Sequence, residues 1–150
     1  MALNSIFLAF QSVFASFALL TLFSLVLAYY IESGIELILA ITFLFNLLII
    51  YLIYFFRGSL KVNKLRFIFL SFICWFLLIL ISLLPFLELI EGKSFNEKIF
   101  FTTSLLTTTG FVLDNLSYKN QVIFTIWIAI VQSIGALFTM LLFIVFFSTF

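Results

Sequence analysis

A short polar run at residues 107–110 reads Thr-Thr-Thr-Gly and lies between two long apolar stretches. Threonine carries a hydroxyl oxygen beside its backbone carbonyl, and its β-branched side chain favours extended backbone. Glycine adopts backbone angles closed to other residues and lets two chains approach closely. Rows of neutral oxygens can replace the water shell of a monovalent cation. The run therefore predicts a cation-binding loop, and the alternative is an ordinary threonine-rich turn.

The composition decides which solvent surrounds this loop. Of the 150 residues, 66% are hydrophobic and 9% are charged, whereas a soluble domain has about 45–50% apolar and about 25% charged residues. The chain is therefore predicted to be an integral membrane protein, and its non-alternating apolar runs favour helices over barrel strands. With no histidine, one cysteine and a net charge of +1, we expect no enzymatic activity and no nucleic-acid partner.

Four segments are long and apolar enough to cross a bilayer, which takes about 20 residues. They cover residues 3–31, 35–56, 67–87 and 121–147. The loop between the second and third segments has four basic residues and no acid: Arg57, Lys61, Lys64 and Arg66. Cytoplasmic loops are enriched in such residues, so we expect a multi-pass plasma-membrane (cell inner membrane) protein with both termini in the cytoplasm. Residues 107–110 then approach the membrane from outside.

A short helix is predicted just before the polar loop. Ser94 and Glu97 have the spacing of a capping box, which places the helix start near Phe95. About 12 residues give a length of roughly 18 Å, against roughly 30 Å for the hydrocarbon core. A helix that enters from outside and stops halfway aims the negative end of its dipole at the membrane centre and attracts cations. Asp114 is placed at the outer mouth, where it would raise the local cation concentration.

The last segment carries a stripe of small and weakly polar residues at positions i, i+3, i+4 and i+7, which share one helix face. Its members are Gln132, Gly135, Ala136 and Thr139. Small residues let helix backbones pack closely in a membrane. The stripe is predicted to be the face of this helix that lines the pore, and the alternative is ordinary helix packing with no pore nearby.

Ser104, the Thr-Thr-Thr-Gly run at 107–110 and a following helix with Gln132 and Gly135 resemble a known pattern. It is the first repeat of the bacterial Trk/Ktr potassium-uptake membrane subunits. The resemblance implies an all-α integral membrane protein with two N-terminal transmembrane helices (1–66) followed by one helix–pore loop–helix unit (67–150). It assigns the selectivity-filter backbone to Thr107, Thr108, Thr109 and Gly110. It also implies K+ as the transported ion, with Na+ in some members, and a separate cytoplasmic nucleotide-binding subunit as regulator.

The chain departs from the family in length and in its last helix. Family members carry four such units in one chain, so a pore here would be completed by other repeats or by further copies of the chain. Ser133 stands where the family has tryptophan, and Ala136 and Phe138 stand where it has glycine. The sequence therefore predicts a portion of a potassium (monovalent cation) transporter. The alternative is a non-transporting membrane scaffold or a degenerate transporter remnant.

Overall fold

A computed structural model describes residues 3–56, 64–110 and 116–149 of the chain. Within these ranges the elements are α1 (Leu3–Ile31), α2 (Glu36–Phe56), α3 (Lys64–Leu89), β1 (Ile90–Glu91), α4 (Phe95–Leu106), β2 (Ser117–Tyr118) and α5 (Gln121–Thr149). Four of the helices, α1, α2, α3 and α5, are long and apolar enough to cross a membrane by length and composition. The expectation of an all-helical architecture with four helices long and apolar enough to span a membrane is confirmed for these ranges.

The bounds of the long helices follow the apolar segments closely, and α3 differs most. It begins at Lys64, ahead of the apolar run that starts at residue 67, and it continues to Leu89 with Pro85 inside it. Proline has no backbone N–H and interrupts the hydrogen-bond ladder of a helix. The last turn of α3 therefore follows this break in the hydrogen-bond ladder and leads directly into β1.

The first two helices form a pair joined by a tight turn at residues 32–35. Gly34 takes a φ of 74° in this turn, and its amide donates to the Glu36 carboxylate at 3.0 Å. Helix α1 also packs against α5 through stacked aromatic rings, with Phe17 and Trp127 at a centroid distance of 5.6 Å. The fully buried rings of these helices belong to one core that reaches α3 and α4.

Helix α4 begins with the predicted capping box. The Ser94 hydroxyl accepts from the Glu97 amide at 3.3 Å, and the Glu97 carboxylate accepts from the Ser94 amide at 2.7 Å. The helix has 12 residues, which is too short to cross a bilayer, and it packs between α3 and α5. The capping box therefore fixes where the short helix starts, as expected from the sequence.

Two short strands, β1 and β2, join the chain before α4 to the chain before α5. They pair antiparallel, with Ile90 opposite Tyr118 and Glu91 opposite Ser117. The Lys119 amide extends the pairing with a 3.0 Å bond to the Leu89 carbonyl. Strands of two residues carry no periodic pattern, so the sequence did not predict them. They bring both ends of the α4 region to the same end of the bundle.

Candidate site at the end of α4

The end of α4 is a tight left-handed turn. The Thr108 amide donates to the Leu105 carbonyl at 3.0 Å, and the Thr109 amide donates to the Ser104 carbonyl at 3.1 Å. This pair of bonds is the Schellman arrangement, which occupies carbonyls that a helix end leaves without partners. Thr108 has a φ of 56°, although glycine is the usual residue there.

The extended backbone expected from the sequence is therefore wrong for the first two loop residues. Thr107 still has helical angles, with φ −80° and ψ 0°, and Thr108 is left-handed. The physical reason is that the amides of Thr108 and Thr109 turn back to bond carbonyls at the end of α4, which an extended chain could not do. Gly110 then has a φ of 71°, where its lack of a side chain avoids the strain that Thr108 bears.

The direction of the loop carbonyls follows from where its amides point. The amides of residues 107–109 all donate to carbonyls of α4, and the described chain has no cis peptide bond. Because N–H and C=O point in opposite directions across a trans peptide, the oxygens of Leu106, Thr107 and Thr108 are directed away from α4. The Thr108 hydroxyl donates back to the Thr107 oxygen at 2.7 Å.

The other hydroxyls fasten the loop to α4. The Thr107 hydroxyl donates to the Thr103 carbonyl at 2.9 Å. The Thr109 hydroxyl donates to the Ser104 carbonyl at 3.2 Å and lies 3.2 Å from the Ser104 hydroxyl. Residues 107–110 are exposed, whereas Ser104 and Leu106 behind them are buried. The loop is thus held to its own helix on one side and open on the other.

The predicted stripe on α5 divides into two parts. Gly135 is buried against α4, and a Cβ there would overlap the Leu106 carbonyl oxygen and lie 2.8 Å from the Leu106 C and Cα atoms. Gln132 is partly buried, and Ala136 and Thr139 are exposed. Gly135 therefore contacts α4, whereas Ala136 and Thr139 lie on the exposed side of α5. Asp114, predicted at the outer mouth, lies outside the described residues.

A groove of about 640 Å³ lies beside the start of the loop, between α3 and α5. Its walls are mostly apolar, with hydroxyl groups from three residues. The lining residues are Ile68, Ser71, Phe72, Trp75, Thr107, Thr139, Leu142 and Phe143. The structure therefore brings Thr107 and Thr139 to one open space, although they come from different elements.

The chemistry of this site is that of neutral oxygens. Across 3–56, 64–110 and 116–149 no group of three or more His, Cys, Asp or Glu side chains could hold a metal ion. No family model, curated protein or solved structure matches the chain. What the site can do is therefore inferred from its backbone carbonyls, its hydroxyls and the dipole of α4.

Sequence reasoning missed a lysine that holds α4 in place. The Lys98 ammonium donates to the Leu87 carbonyl at 2.8 Å, at the C-terminal end of α3. A cation is favourable there because the end of a helix carries partial negative charge. The contact joins residues 11 positions apart in different helices, so no periodic pattern in the sequence predicts it.

Proposed function

We propose that the chain is a portion of a monovalent-cation transporter, with K+ as the transported ion and Na+ as the second candidate. Residues 107–110 would supply one selectivity-filter loop. The observation that carries the proposal is the common direction of the loop amides into α4, which leaves the Thr107 and Thr108 carbonyls directed away from the helix. Carbonyl oxygens presented by backbone in this way can replace the hydration shell of a cation.

The dipole of α4 supports the same function. Twelve helical residues span roughly 18 Å, so a helix that starts at one membrane surface ends near the middle. Its C-terminal end carries about half a negative charge, and the loop carbonyls continue in the direction of the helix carbonyls. A cation at this depth would be stabilised by neutral oxygens and by the helix end together.

The exposure of the loop requires partners. Backbone oxygens facing hydrocarbon are costly, and irregular backbone is tolerated at membrane depth only against protein or water. Residues 107–110 are exposed in the single chain. We therefore propose that other repeats or further copies of the chain supply the remaining loops around the cation. The basic loop between the second and third segments supports a cytoplasmic location for both termini. The resemblance to the Trk/Ktr subunits supports a separate cytoplasmic nucleotide-binding regulator.

Rubidium uptake tests the proposal, in bacteria lacking their own potassium systems. The chain is expressed alone and together with the product of the adjacent reading frame. Gly110 and Gly92 are a matched pair because both have positive φ, 71° and 68°, and so suffer similar backbone strain on substitution. Gly110→Asp should abolish uptake while Gly92→Asp leaves most of it. Absence of uptake in both expression formats, or equal effects of the two variants, would reject the proposal.

The competing function is a non-transporting scaffold. It is favoured by the open face of α5, where Ala136 and Thr139 are exposed and could contact other subunits without a pore. A scaffold would tolerate polar substitutions at residues 107–110 as well as it tolerates them at Gly92. A substitution series at these positions, read by uptake and by assembly in detergent, separates the two functions.

A further inference from the structure

We infer that Gly135 is a positioning residue, which sets how closely the end of α4 seats against α5 and thereby the ion preference of the loop; the second half of this inference rests on the proposed function. Glycine is unfavourable in the interior of a helix, and Gly135 lies well inside α5. The contact with Leu106 supplies the reason, because only a residue without a side chain leaves room for that carbonyl.

The obstacle at Gly135 is backbone. A Cβ would meet the carbonyl oxygen, the carbonyl carbon and the Cα of Leu106. A flexible side chain could rotate away, but backbone atoms cannot, so α4 and α5 must move apart at this contact. Overpacking of this kind forces backbone shifts in a well-packed interior.

A shift of Leu106 reaches the loop directly. Leu106 is the last residue of α4 and is fully buried, and its carbonyl belongs to the peptide whose amide is that of Thr107. The amides of residues 107–109 are bonded to α4 at 2.9–3.1 Å, so the loop follows the helix end. Cation preference depends on where the loop oxygens lie. The contact between Gly135 and Leu106, called the seat below, fixes the position of the helix end from which the loop begins.

Hydrogen exchange read by mass spectrometry tests the seat without any assumption about transport. The protein in detergent is compared with Gly135→Ala and with Val122→Ile, which adds one heavy atom at an exposed position of α5. In Gly135→Ala the amides of residues 107–109 should exchange roughly tenfold faster, while the Lys119 amide, bonded to Leu89, is unchanged. Val122→Ile should match the wild type. Unchanged exchange in Gly135→Ala overturns the inference.

A second variant covers the case in which Gly135→Ala does not fold. Leu106→Ala removes a fully buried side chain at the same seat and should also speed exchange of the amides of residues 107–109. If those amides exchange as fast in the wild type as in an unstructured peptide, or if Leu106→Ala leaves them unchanged, the seat does not hold the loop.

Rubidium uptake with competing Na+ tests the effect on ion preference. Gly135→Ala should transport with a roughly tenfold weaker preference for Rb+ over Na+, and Val122→Ile should keep the wild-type preference. Faster exchange with unchanged preference would overturn the role in selectivity. A wild type that transports nothing rejects the proposed function and the selectivity role with it, while the exchange experiment still decides whether Gly135 seats α4.

Discussion

The indole N–H of Trp127 donates to the backbone carbonyl of Ser82 at 3.0 Å, and both residues are fully buried. Ser82 lies three residues before Pro85 in α3, in the turn whose ladder the proline interrupts. The carbonyl that loses its helical donor to Pro85 is that of Ile81, so the bond from α5 lies one residue from the interruption. The bond ties the helix before α4 to the helix after it.

Replacing Trp127 with phenylalanine should lower the free energy of unfolding by about 1 kcal/mol, the net value of one hydrogen bond. The ring contact with Phe17 is retained in kind. Unfolding by SDS in mixed micelles measures the change. Trp75→Phe is the control, because Trp75 stacks on Phe138 at 5.4 Å and the variant keeps that stacking. Equal losses in the two variants would mean that the bond to Ser82 contributes nothing.

The acid stability of α4 should depend on Glu97. Hydrogen bonds from the Ser94 amide and hydroxyl, and then the nearby Lys93 ammonium, hold the pKa of the Glu97 carboxyl below its usual value of 4.5. A lowered pKa in the folded protein contributes stability above the unfolded value, and this contribution is lost as the pH falls through the folded pKa. The stabilities of wild type and Glu97→Gln should therefore differ at neutral pH and converge well below pH 4.5.

Thermal unfolding in detergent across this pH range measures the convergence. Glu91→Gln makes the same charge change outside the capping box and is the control. A constant difference between wild type and Glu97→Gln at every pH would show that the carboxylate charge does not support the cap.

Thr108→Gly should stabilise the protein. Its φ of 56° costs a residue with a side chain about 1–2 kcal/mol, and glycine returns part of this through its larger unfolded-state entropy. We expect a net gain of about 0.5–1 kcal/mol. Thr107→Gly is the matched control, because Thr107 has an ordinary φ of −80° and should lose stability instead. Thermal unfolding measures both, and destabilisation by Thr108→Gly would contradict the strain.

Lys98→Met should destabilise the protein by about 1 kcal/mol, because it removes a cation from the C-terminal end of α3. Lys93→Met is the comparison. The Lys93–Glu97 pair is a partly exposed contact of 3.7 Å within four residues, and such pairs contribute about 0.3–0.5 kcal/mol. Unfolding by SDS should rank Lys98→Met as the more destabilising variant, and the reverse order would remove the role assigned to the Leu87 contact.

The sequence by itself determined the membrane class, the four long helices and the start of α4. These features depend on local physics. A segment of about 20 apolar residues needs no neighbour to favour a bilayer, and the Ser94–Glu97 capping box acts over three residues. The tight turn at Thr108 was not predicted, because threonine rarely adopts left-handed backbone and so its presence does not indicate such a turn.

Only the tertiary structure decided how the loop and α5 meet. The spacing of Gln132, Gly135, Ala136 and Thr139 put them on one face, but that face is wide enough for Gly135 to touch α4 while Ala136 and Thr139 stay exposed. The Trp127–Ser82 and Lys98–Leu87 bonds likewise join different helices. Helical periodicity fixes directions around one axis, whereas contacts between helices depend on how several axes pack together.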